Sequence, residues 1–356
     1  MQRSPSLQGP SRPPEGDPER AVPSVFSRDG HEPLRVINMV GTTRSGSTLV
    51  EVLLGQLPGF VDVGELRYLW FRRLAKQGNM LCGCRQLLRE CPFWERVGEE
   101  AFGGWDQLEA SEVLALARAV ERERYIPLLA QPRAWRGYER QLHAYAALLE
   151  RLFQAIRLVS GARVVVDASK LLSHAFVLRH VDQLDVRFLH LVRDCRGVAF
   201  SWSKHVARPE TVGGVSYMPR FRPTTMALRW TYDNLCAHLL TALGAQRAFM
   251  RYETFVRSPR EELTRVLNGL GEPAAPGQLR FLADDVALEP THSVSGNPMR
   301  FRIASLPIEL DDQWRREMPL RDRRVVTLLA WPLLKAYGYT GEDERRRDGA
   351  LGAGES

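Results

Sequence analysis

The sequence lacks long apolar runs, and no stretch approaches the roughly 20 residues that a membrane-spanning helix needs. Its first 33 residues are rich in Pro, Ser, Arg and Glu and hold no apolar segment of the kind found in secretory signals. We therefore expect a disordered lead over 1–33, no transmembrane segment, and a chain that works in the reducing cytoplasm.

Lysine is also scarce. Of the 49 basic residues only four are lysines, which leaves 45 arginines, and the formal net charge is +7. With so strong a bias, an arginine at any one position does not indicate that arginine was selected there over lysine. The positive excess suits a small polyanionic ligand. Because no DNA-binding motif or basic–aromatic pattern occurs, we expect no nucleic-acid partner.

Cysteine is limited to five residues. Cys195 and Cys236 stand alone, whereas Cys82, Cys84 and Cys91 lie close together in the chain. These three permit a zinc site, a local disulfide or free thiols. No fourth metal ligand occurs at a usual spacing, and free thiols are the favoured interpretation.

The segment Val36–Leu49 reads as a buried strand, a tight glycine-bearing turn and the start of an amphipathic helix. In this arrangement successive backbone N–H groups point at one anion, and the helix dipole assists them. Gly41 and Gly46 would let the backbone approach the ligand closely. The pattern predicts a phosphate-binding loop.

The loop departs from the Walker A pattern G-x-x-x-x-G-K-[ST], because Ser47 takes the place of the lysine. Its one cation, Arg44, lies two residues before Gly46. A nucleotide triphosphatase needs the lysine on the outer phosphates, and a hydroxyl with an acidic partner on magnesium. We therefore expect the loop to bind an anion other than a metal-bound triphosphate, with no metal ligand in the site.

Four further segments read as buried strands: 60–63, 163–167, 186–192 and 248–253. They alternate with helical patterns, which predicts an α/β fold with a P-loop-type central parallel sheet flanked by helices. A helical insertion, 66–160, is expected after the second strand. The whole is expected to form a single domain over 34–340, followed by a disordered tail over 341–356.

In a parallel sheet the carboxyl ends of the strands meet at one edge, where ligands bind. Glu65, Lys170 and Arg193 each follow a predicted strand end, and Ser201 lies on the helix behind Arg193. With Arg44 they are expected to line one site. An arginine fork and a hydroxyl can hold the same anion.

Weaker candidates lie nearby. His174, one turn past Lys170, is an alternative base. Lys204 and His205 lie close to the same predicted anion site. The Pro- and Gly-rich stretch 206–222 is expected to be a loop or lid. Together with the insertion it would shape the pocket of an acceptor.

Two motifs resemble those of PAPS-dependent sulfotransferases (PAPS is 3′-phosphoadenosine 5′-phosphosulfate). The run Thr43-Arg44-Ser45-Gly46-Ser47-Thr48 resembles the family's loop for the 5′-phosphosulfate. Arg193, with Ser201 eight positions later, resembles its 3′-phosphate motif. The chain looks most like bacterial members with an Arg-Ser-Gly-[ST]-Thr loop, and more distantly like the tyrosylprotein and carbohydrate enzymes.

Two later features fit the same resemblance. Tyr252 is similar to the family tyrosine near the nucleotide, and Ser295–Pro298 with Arg300 looks like the late loop that covers it. The resemblance implies that the nucleotide is held by Arg44, Ser45, Gly46, Ser47, Thr48, Arg193, Ser201, Tyr252, Asn297 and Arg300.

The resemblance implies an enzyme that transfers the sulfuryl group of PAPS to a hydroxyl of an acceptor without needing a metal. The acceptor could be a small molecule, a natural product, a lipid or a sugar. Glu65 lies where the tyrosylprotein branch has its glutamate, so it is the expected general base. Arg44 and Lys170 would stabilise the leaving and bridging oxygens.

The chain also departs from the cytosolic members of that family. Arg44 stands where they have lysine, Asp167-Ala168-Ser169-Lys170 replaces their Lys-x-His segment, and their late Arg-Lys-Gly motif is absent. Two other interpretations stay open: a P-loop kinase for a small molecule, and a relative that binds PAPS without catalysis. The sequence indicates neither the acceptor nor the oligomeric state.

Overall fold

The computed structural model describes residues 32–74, 80–208, 216–282, 288–301 and 308–341. A compact unit begins at Pro33. The two segments expected to be disordered, 1–33 and 341–356, lie almost entirely outside the described residues.

The central sheet has five strands, all parallel: β1 (Leu34–Val40), β2 (Phe60–Asp62), β3 (Val164–Asp167), β4 (Leu184–Val192) and β5 (Arg247–Arg251). Their order is β2-β3-β1-β4-β5. β1 lies in the middle, where Ile37 pairs with Val166 on one side and Arg187 on the other. Its nearly continuous apolar run is typical of a parallel strand that is buried on both faces.

Helices follow the strands in alternation, which confirms the predicted α/β fold. They are α1 (Ser47–Gly55), α2 (Pro92–Phe102), α3 (Ala110–Val120), α4 (Ile126–Ala130), α5 (Arg136–Ser160), α6 (Leu172–Leu178), α7 (Cys195–Ser203), α8 (Pro223–Ala242), α9 (Tyr252–Arg257), α10 (Pro259–Gly269), α11 (Trp314–Glu317) and α12 (Leu320–Ala336). Proline opens three of them, where its missing N–H removes no helical hydrogen bond.

The predicted helical insertion is present between β2 and β3 and contains α2 to α5. Its apolar face is built around large aromatic side chains that are fully buried, among them Trp70, Trp94, Tyr145 and Phe153. The Trp70 indole N–H donates to the Tyr145 hydroxyl at 3.1 Å, so both buried polar groups are satisfied. The insertion joins one face of the sheet through this core.

The remaining helices cover the rest of the sheet. α1, α9 and α10 bury a separate apolar cluster with the inner residues of β1 and β4. α7, α8 and α12 pack around Trp230. No helix within the described ranges is long and apolar enough to cross a membrane.

One sequence expectation needs correction. The last strand is expected over 248–253, but β5 ends at Arg251, and Tyr252 opens α9 instead. Within the stretch expected to be a loop or lid, residues 209–215 lie outside the described residues, and on either side of them Ala207–Arg208 and Ser216–Tyr217 pair as a short antiparallel hairpin. Strands of two residues are too short to leave an alternating pattern in the sequence.

Candidate active site

The predicted phosphate-binding loop joins β1 to α1 and contains three residues with positive φ: Gly41 (132°), Arg44 (72°) and Gly46 (88°). A Cβ on Gly41 would lie 2.3 Å from the carbonyl oxygen of Leu191, and one on Gly46 would lie 2.5 Å from a ring carbon of Tyr252. Both glycines are therefore required by close packing as well as by the backbone conformation.

The loop ends at the N-terminus of α1, where the first backbone N–H groups have no acceptor inside the helix. Gly46 is the N-cap and supplies no side chain to them. The hydroxyl of Ser45 is buried without a hydrogen-bond partner among the described residues. Unsatisfied donors at a helix N-terminus form an anion site, so the loop fits the phosphates that it was predicted to hold.

Arg193 follows β4 and lies directly against this loop. Its guanidinium donates to the main-chain oxygen of Arg44 at 3.2 Å and lies 4.8 Å from the centre of the Tyr252 ring. Because the Tyr252 ring also packs against Gly46, it contacts both cationic turns. The structure thus brings together two turns that are 149 residues apart in the sequence.

The side chain of Arg44 extends from the loop to α7 and the hairpin. Its guanidinium lies 5.1 Å from the centre of the Trp202 ring and donates to Sδ of Met218. Ser201, the neighbour of Trp202 in α7, is partly exposed. The convergence of Ser201 and Arg193 on one anion stays a prediction.

The carboxylate of Asp311 forms an ion pair with Arg193. The Asp311 side chain is 3.0 Å from the Arg193 guanidinium, which also donates to the Asp311 main-chain oxygen at 2.7 Å. Lys204, a weaker candidate from the sequence, lies 3.9 Å from the same carboxylate. Burial alone would raise the pKa of Asp311, but Arg193 and Lys204 lower it, so the group is ionised at neutral pH. Asp311 makes the kind of contact that a phosphate would make.

Glu65 and Lys170, which follow β2 and β3, form an ion pair of 2.8 Å. Their side chains are only 18% and 6% exposed. Burial alone would raise the pKa of Glu65, but Lys170 together with Arg72 and Ser295 lowers it overall. Burial would likewise lower the pKa of Lys170, but Glu65 raises it. Both groups are therefore charged at neutral pH.

Asp167, at the end of β3, holds the segments that carry this pair. Its carboxylate accepts from the N–H of Ser169 at 2.9 Å, from the N–H of Leu66 at 3.4 Å and from the amide of Asn38 at 3.1 Å. β1 and the segments that follow β2 and β3 are thereby joined at one buried acid, which fixes the backbone next to Glu65 and next to Lys170.

His174 is enclosed by acids and does not suit the role of alternative base. It is fully buried and hydrogen-bonds Glu121 through Nδ1 and Asp167 through Nε2. Burial alone would lower the pKa of His174, but Glu121 and Asp167 raise it to about 9. An imidazolium with both N–H groups engaged has no free lone pair with which to accept a proton.

The late segment, residues 292–301, lies beside the loop as predicted. The N–H of Asn297 donates to the hydroxyl of Thr48 at 3.2 Å, and the carbonyl of Ser295 accepts from the N–H of Glu65 at 3.3 Å. Arg300 is buried and donates to the carbonyl oxygens of Ser293 and Leu81. These contacts give Arg300 a structural role and do not support the predicted contact with a nucleotide.

Sequence reasoning missed two acids near the site. Glu51 lies on α1, is fully buried, and has no partner for either carboxyl oxygen among the described residues. Burial raises the pKa of Glu51 well above its ordinary value. Glu51 is the one ionisable side chain of α1, so the sequence does show it as unusual. Asp311 left none, because its contact with Arg193 spans 118 residues.

Comparison with known proteins identifies the family. The sequence profile described as the sulfotransferase family matches residues 37–276. No curated protein sequence matches the chain.

Among solved structures, the chain is similar to the sulfotransferase domain of the olefin synthase of Synechococcus PCC 7002, with 21% identity and a TM-score of 0.44, over 86% of this chain and 96% of that one. It is also similar to sulfotransferase STF9 of Mycobacterium avium, with 13% identity and a TM-score of 0.43, over 86% and 77%. A mouse sulfotransferase, SULT7A1, complexed with PAP is similar at 9% identity and a TM-score of 0.43, over 90% and 89%.

The profile match begins at Ile37 within β1 and includes the phosphate-binding loop, Glu65, Lys170, Arg193 and Tyr252. It extends over well more than half of the 356 residues. The chain therefore belongs to the sulfotransferase family.

Proposed function

We propose that this protein transfers the sulfuryl group of PAPS to a hydroxyl of a small-molecule acceptor. The single observation that supports this most is the hydrogen bond from the Arg193 guanidinium to the main-chain oxygen of Arg44. It joins two anion-binding turns at one sheet edge. A donor with phosphate groups at both ends of an adenosine matches two such turns better than a donor with one phosphate chain.

The loop would hold the 5′-phosphosulfate. The N–H groups at the start of α1 and the unpartnered hydroxyl of Ser45 supply neutral donors, and Arg44 supplies a positive charge. Arg193 and Ser201 would select the 3′-phosphate, with Lys204 close to the same point, and Asp311 would have to yield its place on the guanidinium.

Glu65 would act as the general base. As the acceptor oxygen forms its bond to sulfur, its proton passes to a carboxylate oxygen of Glu65, and the bond from sulfur to the bridging oxygen of the phosphate breaks. Lys170 and Arg44 would stabilise the charge that grows on that oxygen. Since the sulfuryl group carries less charge than a phosphoryl group, these cations and the loop amides are proposed to suffice without a metal.

Calorimetric titration tests the proposal. The ligands are PAP (3′-phosphoadenosine 5′-phosphate) and adenosine 5′-phosphosulfate, which lacks the 3′-phosphate. Arg193→Ala should weaken PAP binding about tenfold to hundredfold, the loss typical of a hydrogen bond to a charged group. Binding of adenosine 5′-phosphosulfate should change much less.

Transfer of radiolabelled sulfate from PAPS to a panel of phenols, sugars and alcohols then tests catalysis. If Arg193→Ala weakened the binding of PAP and of adenosine 5′-phosphosulfate equally, Arg193 would not be the residue that binds the 3′-phosphate. PAP binding with no transfer to any acceptor would favour a relative that only binds the nucleotide.

A further inference from the structure

His292 lies beside the three clustered cysteines, although it follows the last of them by 201 residues. Its Nδ1 is 3.3 Å from Sγ of Cys91 and 3.9 Å from Sγ of Cys82. Sγ of Cys84 is 3.7 Å from Sγ of Cys91. The four ligand atoms all lie within 4.8 Å of one another. The fourth ligand that the local sequence lacks is thus supplied by the fold.

These separations match a tetrahedral zinc centre. Zn–S bonds of about 2.3 Å and Zn–N bonds of about 2.0–2.1 Å place two sulfurs about 3.8 Å apart, and a sulfur and a nitrogen about 3.6 Å apart. A disulfide would need about 2.05 Å between sulfurs, and all five cysteines are free. Three thiols and an imidazole form one of the usual ligand sets of structural zinc.

The surrounding backbone holds the four ligands in place. The Cys82 N–H donates to the Gln86 carbonyl at 2.8 Å, which closes the turn that contains Cys84. The Gly83 N–H donates to the Ser293 carbonyl at 3.0 Å, and a Cβ on Gly83 would lie 2.6 Å from the carbonyl oxygen of Thr291. The cysteine turn therefore fits directly against the residues on both sides of His292.

The histidine is oriented by two aromatic residues of α2. The indole N–H of Trp94 donates to the main-chain oxygen of His292 at 2.8 Å. The Phe93 ring stacks on the imidazole with 4.6 Å between ring centres and 5° between planes. Contacts that fix the ring of a histidine ligand are typical of built metal sites.

We propose that Cys82, Cys84, Cys91 and His292 bind one structural Zn²⁺ ion. Four protein ligands leave no open position, so the ion joins segments and does no chemistry on a substrate. It ties the start of the insertion to the late segment, residues 292–301. This site rests on its own geometry and stands whether or not the proposed sulfuryl transfer is correct.

The zinc centre would also stabilise the proposed nucleotide site. Ser295 and Asn297, which follow His292 closely, bond the Glu65 N–H and the Thr48 hydroxyl. Loss of the ion would free the start of this segment and loosen both contacts. We expect zinc loss to weaken PAP binding without removing any residue that touches the nucleotide.

The test is the metal content of the full chain, produced with zinc and purified under reducing conditions. Inductively coupled plasma mass spectrometry should find about one zinc ion per chain. Cys84→Ser, at a partly exposed position, should lose it, and His292→Ala should do the same. Cys236→Ser is the matched control, because this buried cysteine lies outside the cluster and should leave the zinc content unchanged.

Replacing zinc by Co²⁺ in the wild-type chain gives a second readout that needs no variant to fold. Tetrahedral Co²⁺ with thiolate ligands should show intense visible ligand-field bands and a sulfur-to-metal charge-transfer band. The proposal would be overturned if the wild-type chain bound neither Zn²⁺ nor Co²⁺ after reconstitution with the metal under reducing conditions. A Cys84→Ser chain that keeps its zinc, or a Cys84–Cys91 disulfide found by peptide mapping of the freshly purified protein, would also overturn it.

Discussion

At the scale of single residues, the site depends on how neighbouring charges set protonation. Glu51 is fully buried and Glu65 half-buried, and their pKa values are shifted in opposite directions. Lys170 lies 2.8 Å from Glu65 and lowers its pKa, whereas burial raises the pKa of Glu51. A base must be unprotonated before it can act, so of these two acids Glu65 better fits the proposed role.

Glu65→Gln should lower turnover at least about 100-fold, because the amide cannot accept the acceptor proton. PAP affinity, measured by calorimetry, should stay nearly unchanged. Glu51→Gln is the matched control, since it replaces another acid near the site, one whose pKa burial raises, by an amide of the same shape and should leave turnover close to wild type. Similar turnover in wild type and Glu65→Gln would show that Glu65 is not the base.

His174 gives the fold a dependence on pH. Its pKa is raised from 6.5 to about 9 in the folded state, so its contribution to stability is fully present below pH 6.5 and is lost as the pH rises through 9. The difference corresponds to roughly 3 kcal/mol in the free energy of unfolding. Urea unfolding at a series of pH values should show this decline in the wild type.

His174→Gln should be less stable at neutral pH and should show a flatter decline between pH 6.5 and 9. His205→Gln, at an exposed position beside Tyr217, should follow the wild-type curve. If the free energy of unfolding depended on pH in the same way in the wild type and in His174→Gln, the raised pKa of His174 would be contradicted.

At the scale of elements, strand ends were predictable and long-range partners were not. Glu65, Lys170 and Arg193 follow apolar runs that read plainly as buried strands, and parallel strands bring their carboxyl ends to one edge. His292 and Asp311 lie in turn-rich segments whose partners are more than 100 residues away. No spacing rule connects residues across such distances.

The packing of the phosphate-binding loop on α9 supplies an element-scale prediction. Gly46→Ala should strongly weaken PAP binding, because the new Cβ would meet the Tyr252 ring and displace it from its place beside Arg193. Gly161→Ala is the matched control: it also has positive φ, at 67°, but nothing lies within 4 Å of the added carbon. It should cost some stability and leave PAP affinity unchanged. Equal PAP affinity in both variants would contradict this account of the loop.

At the scale of the whole molecule, one sheet edge collects groups from the entire chain. The phosphate-binding loop follows β1, Glu65 follows β2 and Lys170 follows β3. Arg193 follows β4, and Tyr252 follows β5. This convergence follows from parallel strands in the order β2-β3-β1-β4-β5 and was predictable once the strands were recognised. The short hairpin beside Arg44 was not predictable, because strands of two residues leave no alternating pattern in the sequence.

A ligand that binds across this edge should stabilise the whole fold, because it contacts segments from most of the chain. PAP at about 100 times its dissociation constant should add about 2.7 kcal/mol and raise the melting temperature by several degrees. ATP with Mg²⁺ should add much less, since the loop has Ser47 where a triphosphate site has lysine and Arg193 would lack a 3′-phosphate to bind. Thermal denaturation with each nucleotide at matched concentration measures the difference. A larger shift with ATP and Mg²⁺ than with PAP would favour a kinase. Arg193→Ala, which should lose about half or more of the PAP shift, shows whether the stabilisation comes from the proposed site.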